Sequence, residues 1–181
     1  DHEWVAGIDL ASVSDGSVFS PALDQILTRN PRLPRAKARC LWHLPPHTLK
    51  RAGESRDYTP QFEEASSLMM LESYGRVAVD ATGEGAGLAQ DLRRKYGAAV
   101  VDEVKNWKEV YAKIPDMKLA MEQGHMRIPH DPKLRAAFCK VQRTITSNNA
   151  PKFEAKRDSS GHADEFFGAL DYWFQRPEVA E

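Results

Sequence analysis

Cysteine is scarce in this sequence: Cys40 and Cys139 are the only two among 181 residues. Two thiols cannot build a disulfide framework, so a reducing, cytoplasmic setting is the expectation. Neither sits in a reactive signature. Long hydrophobic runs are missing as well. No apolar stretch approaches the roughly 20 residues that span a bilayer, no signal-peptide pattern opens the chain, and no membrane partner is expected. Nor does one sign of charge dominate, since 25 Lys and Arg face 26 Asp and Glu; net charge selects no partner. There is no G-x-x-x-x-G-K-S/T loop, which argues against ATP hydrolysis by this chain. There is also no G-x-S-x-G turn for a serine nucleophile. The chain opens on Asp1 rather than on a methionine, with a strand expected within a few residues. That pattern suggests one domain cut from a longer protein, and the length suits a single domain with a full core.

What is present is organised around Arg76–Gly87, R-V-A-V-D-A-T-G-E-G-A-G. Val77–Val79 reads as a buried strand ending on Asp80, followed by a turn with Gly83, Gly85 and Gly87. From Leu88 the apolar spacing becomes helical. This is the layout of a site at the carboxyl edge of an α/β sheet, holding either a phosphate or a metal.

Upstream, Trp4–Leu10 reads as a first strand with Asp9 near its end. Ser12, Ser14, Asp15 and Gly16 form a turn, and Ser17-Val18-Phe19 starts a second strand that closes a hairpin. On its own Asp9 reads first as a strand-end residue bonding that turn. Residues 28–51 carry Arg29, Arg32, Arg35, Lys37, Arg39, Lys50 and Arg51 with no acidic residue among them. The segment suits a phosphate backbone or, equally, a solvated loop; its prolines exclude a continuous helix, and Ala38–Leu44 reads as a strand. Cys40, His43 and His47 mimic a metal-ligand spacing but lack a fourth ligand, which disfavours structural zinc.

Downstream, Tyr58–Tyr74 reads as an amphipathic helix capped by Gly75. The helix after the focal turn ends at Gly97, and Ala98–Val104 reads as a strand. Asn106 and Glu109 form a capping-box pattern for a helix broken at Pro115 and resumed to Gly124. Met126–Pro129 is a short strand, Asp131 caps a helix beginning at Pro132, and Val141–Ser147 and Lys152–Lys156 are strands around Asn148-Asn149. The last helix, from Gly161-His162-Ala163-Asp164-Glu165, has a wide apolar face with Phe166, Phe167, Leu170, Trp173 and Phe174. Asp164 in its first turn serves helix stability as well as it would serve function.

The phosphate reading is weak. The third glycine comes one residue early for a dinucleotide fingerprint, although Asp102 lies where a ribose contact would be. Asp80 would also repel a pyrophosphate. The metal reading uses more residues: Asp9, Asp80 and Asp164, from three separate elements, would repel one another at close range unless cations joined them. Two Mg²⁺ or Mn²⁺ ions would turn them into hard oxygen ligands and activate a water for phosphodiester cleavage.

These motifs, in order and spacing, resemble the nuclease domain of bacteriophage large terminase subunits, the DNA-packaging proteins, most closely the Mu-like branch. The resemblance is carried by Gly7–Ala11 with Ser14–Val18, by Val79–Gly83 and by Gly161–Phe166. Between them stand Lys108, Glu122-x-Gly124, Arg127-Ile128-Pro129 and Asp131-x-x-Leu134. It implies an α/β, RNase H-like fold: a central mixed sheet with an N-terminal antiparallel hairpin, flanked by helices. It also implies metal-dependent cutting of double-stranded phage DNA in the host cytoplasm. Asp9, Asp80 and Asp164 match the family's acidic triad, with Asp9 bridging two Mg²⁺ or Mn²⁺ ions and the other two each completing one. His162 would orient a water or touch the scissile phosphate, and Asp15 and Glu84 are auxiliary acids. Arg29, Arg32, Arg35, Lys37, Arg39 and Lys108 would meet DNA. An ATPase motor domain is expected N-terminal to the chain, with the portal and small terminase subunit as partners and the isolated domain monomeric. Pro21–Arg56 departs from the family in being longer and more basic. Two other readings stay open: another RNase H-like nuclease such as a Holliday-junction resolvase, or a non-catalytic nucleic-acid or protein-binding module.

Overall fold

The computed structural model describes residues 2–10, 17–27, 38–50, 57–83, 85–147, 151–155 and 163–175. Strand β1 (His2–Asp9) pairs antiparallel with β2 (Val18–Leu27), from His2 against Gln25 to Asp9 against Val18, which is the expected hairpin. β3 (Ala38–His43) and the two-residue β4 (His47–Thr48) both lie against β2, at Ala22–Leu27 and Val18–Phe19 respectively. Pro21 therefore falls where the neighbour steps from one strand to the other, and its carbonyl accepts from the Leu44 N–H at 2.9 Å. A proline is tolerated there because its missing N–H faces a break in the ladder.

Helix α1 (Thr59–Leu71) leads to β5 (Tyr74–Asp80), which runs parallel to β1. Helix α2 (Gly85–Tyr96) returns the chain to β6 (Val101–Val104), parallel to β5. Then follow α3 (Trp107–Ala112), α4 (Ile114–Glu122), β7 (Met126–Arg127), α5 (Pro132–Lys140), the hairpin β8 (Val141–Ile145) with β9 (Pro151–Ala155), and α6 (Asp164–Gln175). Among the described residues the main sheet has seven strands in the order β6-β5-β1-β2-β3-β7, with β4 beside β2. It is mixed and opened by an antiparallel hairpin, as expected. No described helix is long and apolar enough to cross a membrane.

Alternation along the strands separates two cores. Ala6, Ile8, Phe19, Val77 and Val79 pack with Leu88, Ala89 and Leu92 of α2 and with Ala65 and Met69 of α1. Val5, Ala22, Leu41 and Ala78 face the other way, toward Phe166, Phe167 and Leu170 of α6. α6 lies unusually close to the sheet. A Cβ placed on Gly7 would sit 1.7 Å from the Gly168 carbonyl oxygen, and one on Gly168 would sit 2.7 Å from Ser20 Oγ. Gly7 is needed for the close approach of two backbones, while at Gly168 the obstacle is the Ser20 side chain.

The expected caps form where their chemistry is explicit. Asn106 accepts from the Lys108 N–H and its amide donates to Glu109 at 2.7 Å, while Asp131 accepts from the Lys133 and Leu134 N–H groups. The helix break falls at Lys113, before Pro115. Three expectations differ from the structure. Gly75 is not a helix cap: α1 ends at Leu71, and Gly75 lies inside β5, where a Cβ would meet the Glu3 carboxylate at 2.2 Å. The strand expected from Ala98 begins only at Val101, because Gly97–Val100 turn, with Val100 and Val101 donating to the Gly97 carbonyl. Trp42, expected as an apolar strand member, is exposed, with the Arg127 guanidinium 4.7 Å over its ring. The turn expected at Asn148-Asn149 lies outside the described residues.

Candidate functional site

Asp9 and Asp80 are the last residues of β1 and β5, neighbouring parallel strands with Ile8 level with Val79. Strands so paired stand about 4.8 Å apart, and level residues face the same way. Both acids are thus on the α6 side of the sheet, in step with Gly7 and Ala78. Asp164, the first residue of α6, is brought to the same edge by the docking of its helix. Ala163, just before it, has φ 68, a left-handed conformation uncommon for alanine, and its carbonyl accepts from the Phe166 and Phe167 N–H groups. At the start of α2, a Cβ on Gly85 would lie 2.0 Å from the Asp80 carbonyl oxygen. That glycine lets the helix tuck in behind the acid.

The electrostatics follow from the crowding. Burial pushes the Asp9 carboxyl well above the ordinary carboxylate range, and the charges of Asp80, Asp164 and Glu165 push it further in the same direction. Asp80 is also raised by burial, against which the Thr82 hydroxyl and N–H pull by bonding the same oxygen, Oδ1, at 2.6 and 2.7 Å. Like charges gathered in a poorly solvated place favour whatever neutralises them, a proton or a cation.

Two further acids belong to this cluster and were not singled out in the sequence. Glu165 was only part of a motif. Asp171 is fully buried, and among the described residues neither of its carboxylate oxygens has a hydrogen-bond partner. Burial, then Asp9 and Asp80, hold its carboxyl well above the usual range. The available signal was its spacing: Asp171 is seven residues beyond Asp164, on the same apolar stripe of α6. Replacing Asp171 by Asn should stabilise the metal-free protein, by on the order of 1–3 kcal/mol at pH 8, because it removes a buried unpartnered charge. Thermal unfolding in EDTA checks this; a variant that melts below the wild type at pH 8 overturns it.

The other expected residues divide. Lys108 is exposed on α3. Arg39 lies in β3, away from the acid edge along the sheet order. Arg29, Arg32, Arg35, Lys37, Asp15, Glu84 and His162 lie outside the described residues. Cys40 and His43, three apart in a strand, face opposite sides, and His43 is buried with its Nδ1 2.5 Å from the Leu44 carbonyl, so these two cannot share a zinc ion. Burial lowers His43 to about 4.

Among the described residues no group of three or more His, Cys, Asp or Glu side chains is set as a ready-made metal cage. Mg²⁺ and Mn²⁺ do not need one, since they commonly take one or two carboxylates and complete their shells with water and phosphate oxygens. Buried all-oxygen donors with raised carboxyls, and the two unsatisfied oxygens of Asp171 beside them, fit such a cation. A cavity of about 1350 Å³, into which none of the acids opens, is lined by Tyr111, Met117, Phe138 and Phe153, with Lys108 and Lys152 also in its wall. Tyr111 joins the two: burial raises its hydroxyl, Lys152 lowers it, and Asp80 and Asp9 raise it again.

No protein-family model matches the chain, and no curated protein sequence matches it. Solved structures do. The large terminase nuclease from thermophilic phage G20c, with bound magnesium, superposes with a TM-score of 0.67 at 21% identity, covering 95% of this chain and 81% of that one. A mutant nuclease domain of the large terminase subunit of bacterial virus Sf6, with manganese and beta-thujaplicinol, gives 0.63 at 14% identity, covering 97% and 89%. The large terminase of bacteriophage HK97 gives 0.65 at 14% identity; the match covers 97% of this chain and 40% of that longer one. The fold is that of these nuclease domains, the mixed α/β architecture expected of an RNase H-like protein.

Proposed function

We propose that the chain is a divalent-metal-dependent nuclease domain that cuts double-stranded DNA, the nuclease part of a phage large terminase. The observation that carries the reading is the meeting of Asp9, Asp80 and Asp164 at one sheet edge, close enough for each of the other two to raise the Asp9 carboxyl. The fold shared with terminase nucleases holding magnesium or manganese supports it. An ATPase motor in another segment, a portal and a small terminase subunit would complete the packaging machine.

Asp9, Asp80 and Asp164 are the residues that would hold the divalent cations. When bound, a pair of Mg²⁺ or Mn²⁺ ions supplies the positive charge that activates a water and stabilises the leaving oxygen of a phosphodiester. The chain's own groups do the rest. β1 and β5 fix two carboxylates side by side, and α6 closes the site from behind with Phe166, Phe167 and Leu170. Lys108 and Lys152, among the residues lining the cavity, would supply positive charge to a phosphate backbone. The three carboxylates need to be ionised to hold cations, so cleavage should rise with pH above the acid range.

Supercoiled plasmid incubated with the protein and Mn²⁺ should be nicked and linearised, and EDTA or the Asp80→Asn substitution should stop it. Cutting that persists in EDTA, or in Asp80→Asn, defeats the assignment. Linear duplex should be cut at least as fast as a four-way junction; strong preference for the junction would favour a resolvase instead.

A further inference from the structure

Asp80 is not held by its own turn alone. Its Oδ1 accepts from the Thr82 N–H at 2.7 Å and from the Thr82 hydroxyl at 2.6 Å. The same hydroxyl oxygen accepts from the indole N–H of Trp107, 25 residues further on, at 2.8 Å. The direction of this chain is forced by chemistry. An indole nitrogen can only donate, and an ionised carboxylate can only accept. Thr82 must therefore take the Trp107 proton on its oxygen and turn its single hydroxyl hydrogen to Asp80. Each bond polarises the next, which strengthens the pair.

Trp107 is well fixed for this task. It opens α3, whose cap is the Asn106 side chain. Its ring meets Phe167 of α6 edge-on at 5.8 Å between centroids and leans on Tyr111 at 5.3 Å. One side chain thus touches α6, its own helix and the turn after β5. The bond to Thr82 ties that turn to the helix whose first residue is Asp164.

We propose that Trp107 and Thr82 are positioning residues that clamp Oδ1 of Asp80 and so reserve Oδ2 for a divalent cation. This rests on the nuclease reading above, since it assigns that cation a purpose. Such outer-shell bonds keep a ligating carboxylate in one orientation, and their loss typically weakens metal affinity 10- to 100-fold. A Thr–Asp contact within a strand-end turn is common as local structure. The Trp107 bond goes beyond that, because a distant element is spent on fixing the hydroxyl.

The test measures Mn²⁺ binding to the whole chain by calorimetry, alongside plasmid nicking. Thr82→Val keeps the shape and removes the hydroxyl; Mn²⁺ should bind 10- to 100-fold more weakly. Thr82→Ser restores the hydroxyl and should bind within about threefold of the wild type. Trp107→Phe keeps an aromatic ring and removes the donor; it should weaken binding severalfold alone, and add little in a Thr82→Val background. The indole resonance of Trp107 in the metal-free protein should also move in Thr82→Val, which reads the bond without metal. Wild-type affinity in Thr82→Val, or losses that simply add in the double variant, overturn the positioning role while leaving the nuclease reading intact. A wild type that neither binds Mn²⁺ nor nicks DNA overturns the nuclease reading, and the positioning role falls with it.

Discussion

Asp9→Asn should lose metal-dependent cleavage by on the order of 10³-fold or more, while the metal-free protein becomes more stable at pH 8. The first part follows from several kcal/mol of charge stabilisation that a lost ligand forfeits, at about 1.4 kcal/mol per factor of ten. The second follows from linkage. The folded-state carboxyl of Asp9 is raised above its ordinary 3.8 by burial and then by Asp80, Asp164 and Glu165. Between the unfolded and folded values the folded protein holds the extra proton, so stability falls as pH climbs through that interval. Below the unfolded value the penalty is absent; above the folded value it is complete. His43, lowered to about 4 by burial, tilts the profile the other way between there and 6.5, but it is common to both proteins and cancels in their difference. Melting curves in EDTA at pH 5 and pH 8, beside nicking rates in Mn²⁺, read both effects. An inactive variant that is also less stable at pH 8 would mean Asp9 holds up the fold rather than a cation.

Gly7→Ala should be the most damaging single substitution to the fold. Its Cβ would lie 1.7 Å from the Gly168 carbonyl oxygen and 3.4 Å from Asp171 Cβ, and neither strand nor helix backbone has a flexible end that could swing aside. α6 would have to lift off the sheet, carrying Asp164 with it. Overpacking of this kind destabilises by about 3 kcal/mol or more, a fall in Tm of roughly 6–12 °C for a chain this long, and Mn²⁺ affinity should fall too. Gly87→Ala is the contrast. It sits exposed in α2 with nothing within 4 Å of an added Cβ, and should be neutral or stabilising by about 0.5–1 kcal/mol. Equal melting temperatures for Gly7→Ala and wild type would show that α6 can be displaced without loss.

What could be read in the chain were features whose physics is local. A hairpin announced by Ser14-Asp15-Gly16, caps at Asn106 and Asp131, and a strand ending on Asp80 all depend on residues within a few positions of one another. The break beside Pro21 is seen only when β3 and β4 are laid against β2. Trp107 bonding Thr82, and Gly7 meeting Gly168, join residues whose partners no periodicity indicates. Asp171 shows the limit most plainly. On a helix face with Phe167 and Leu170 a lone carboxylate reads as an exception to the stripe, and only the arrival of that face against β1 turns it into a neighbour of Asp9.

The placement of Asp164 on the last described helix also bears on when the protein can act. During synthesis Asp9 and Asp80 leave the ribosome long before α6 does, at roughly 5–20 residues per second. Until α6 docks, those two carboxylates face water, nothing crowds or dries them, and the cluster that would hold a cation is incomplete. On the nuclease reading, a chain that has not yet docked α6 carries two of the acids and cannot cut.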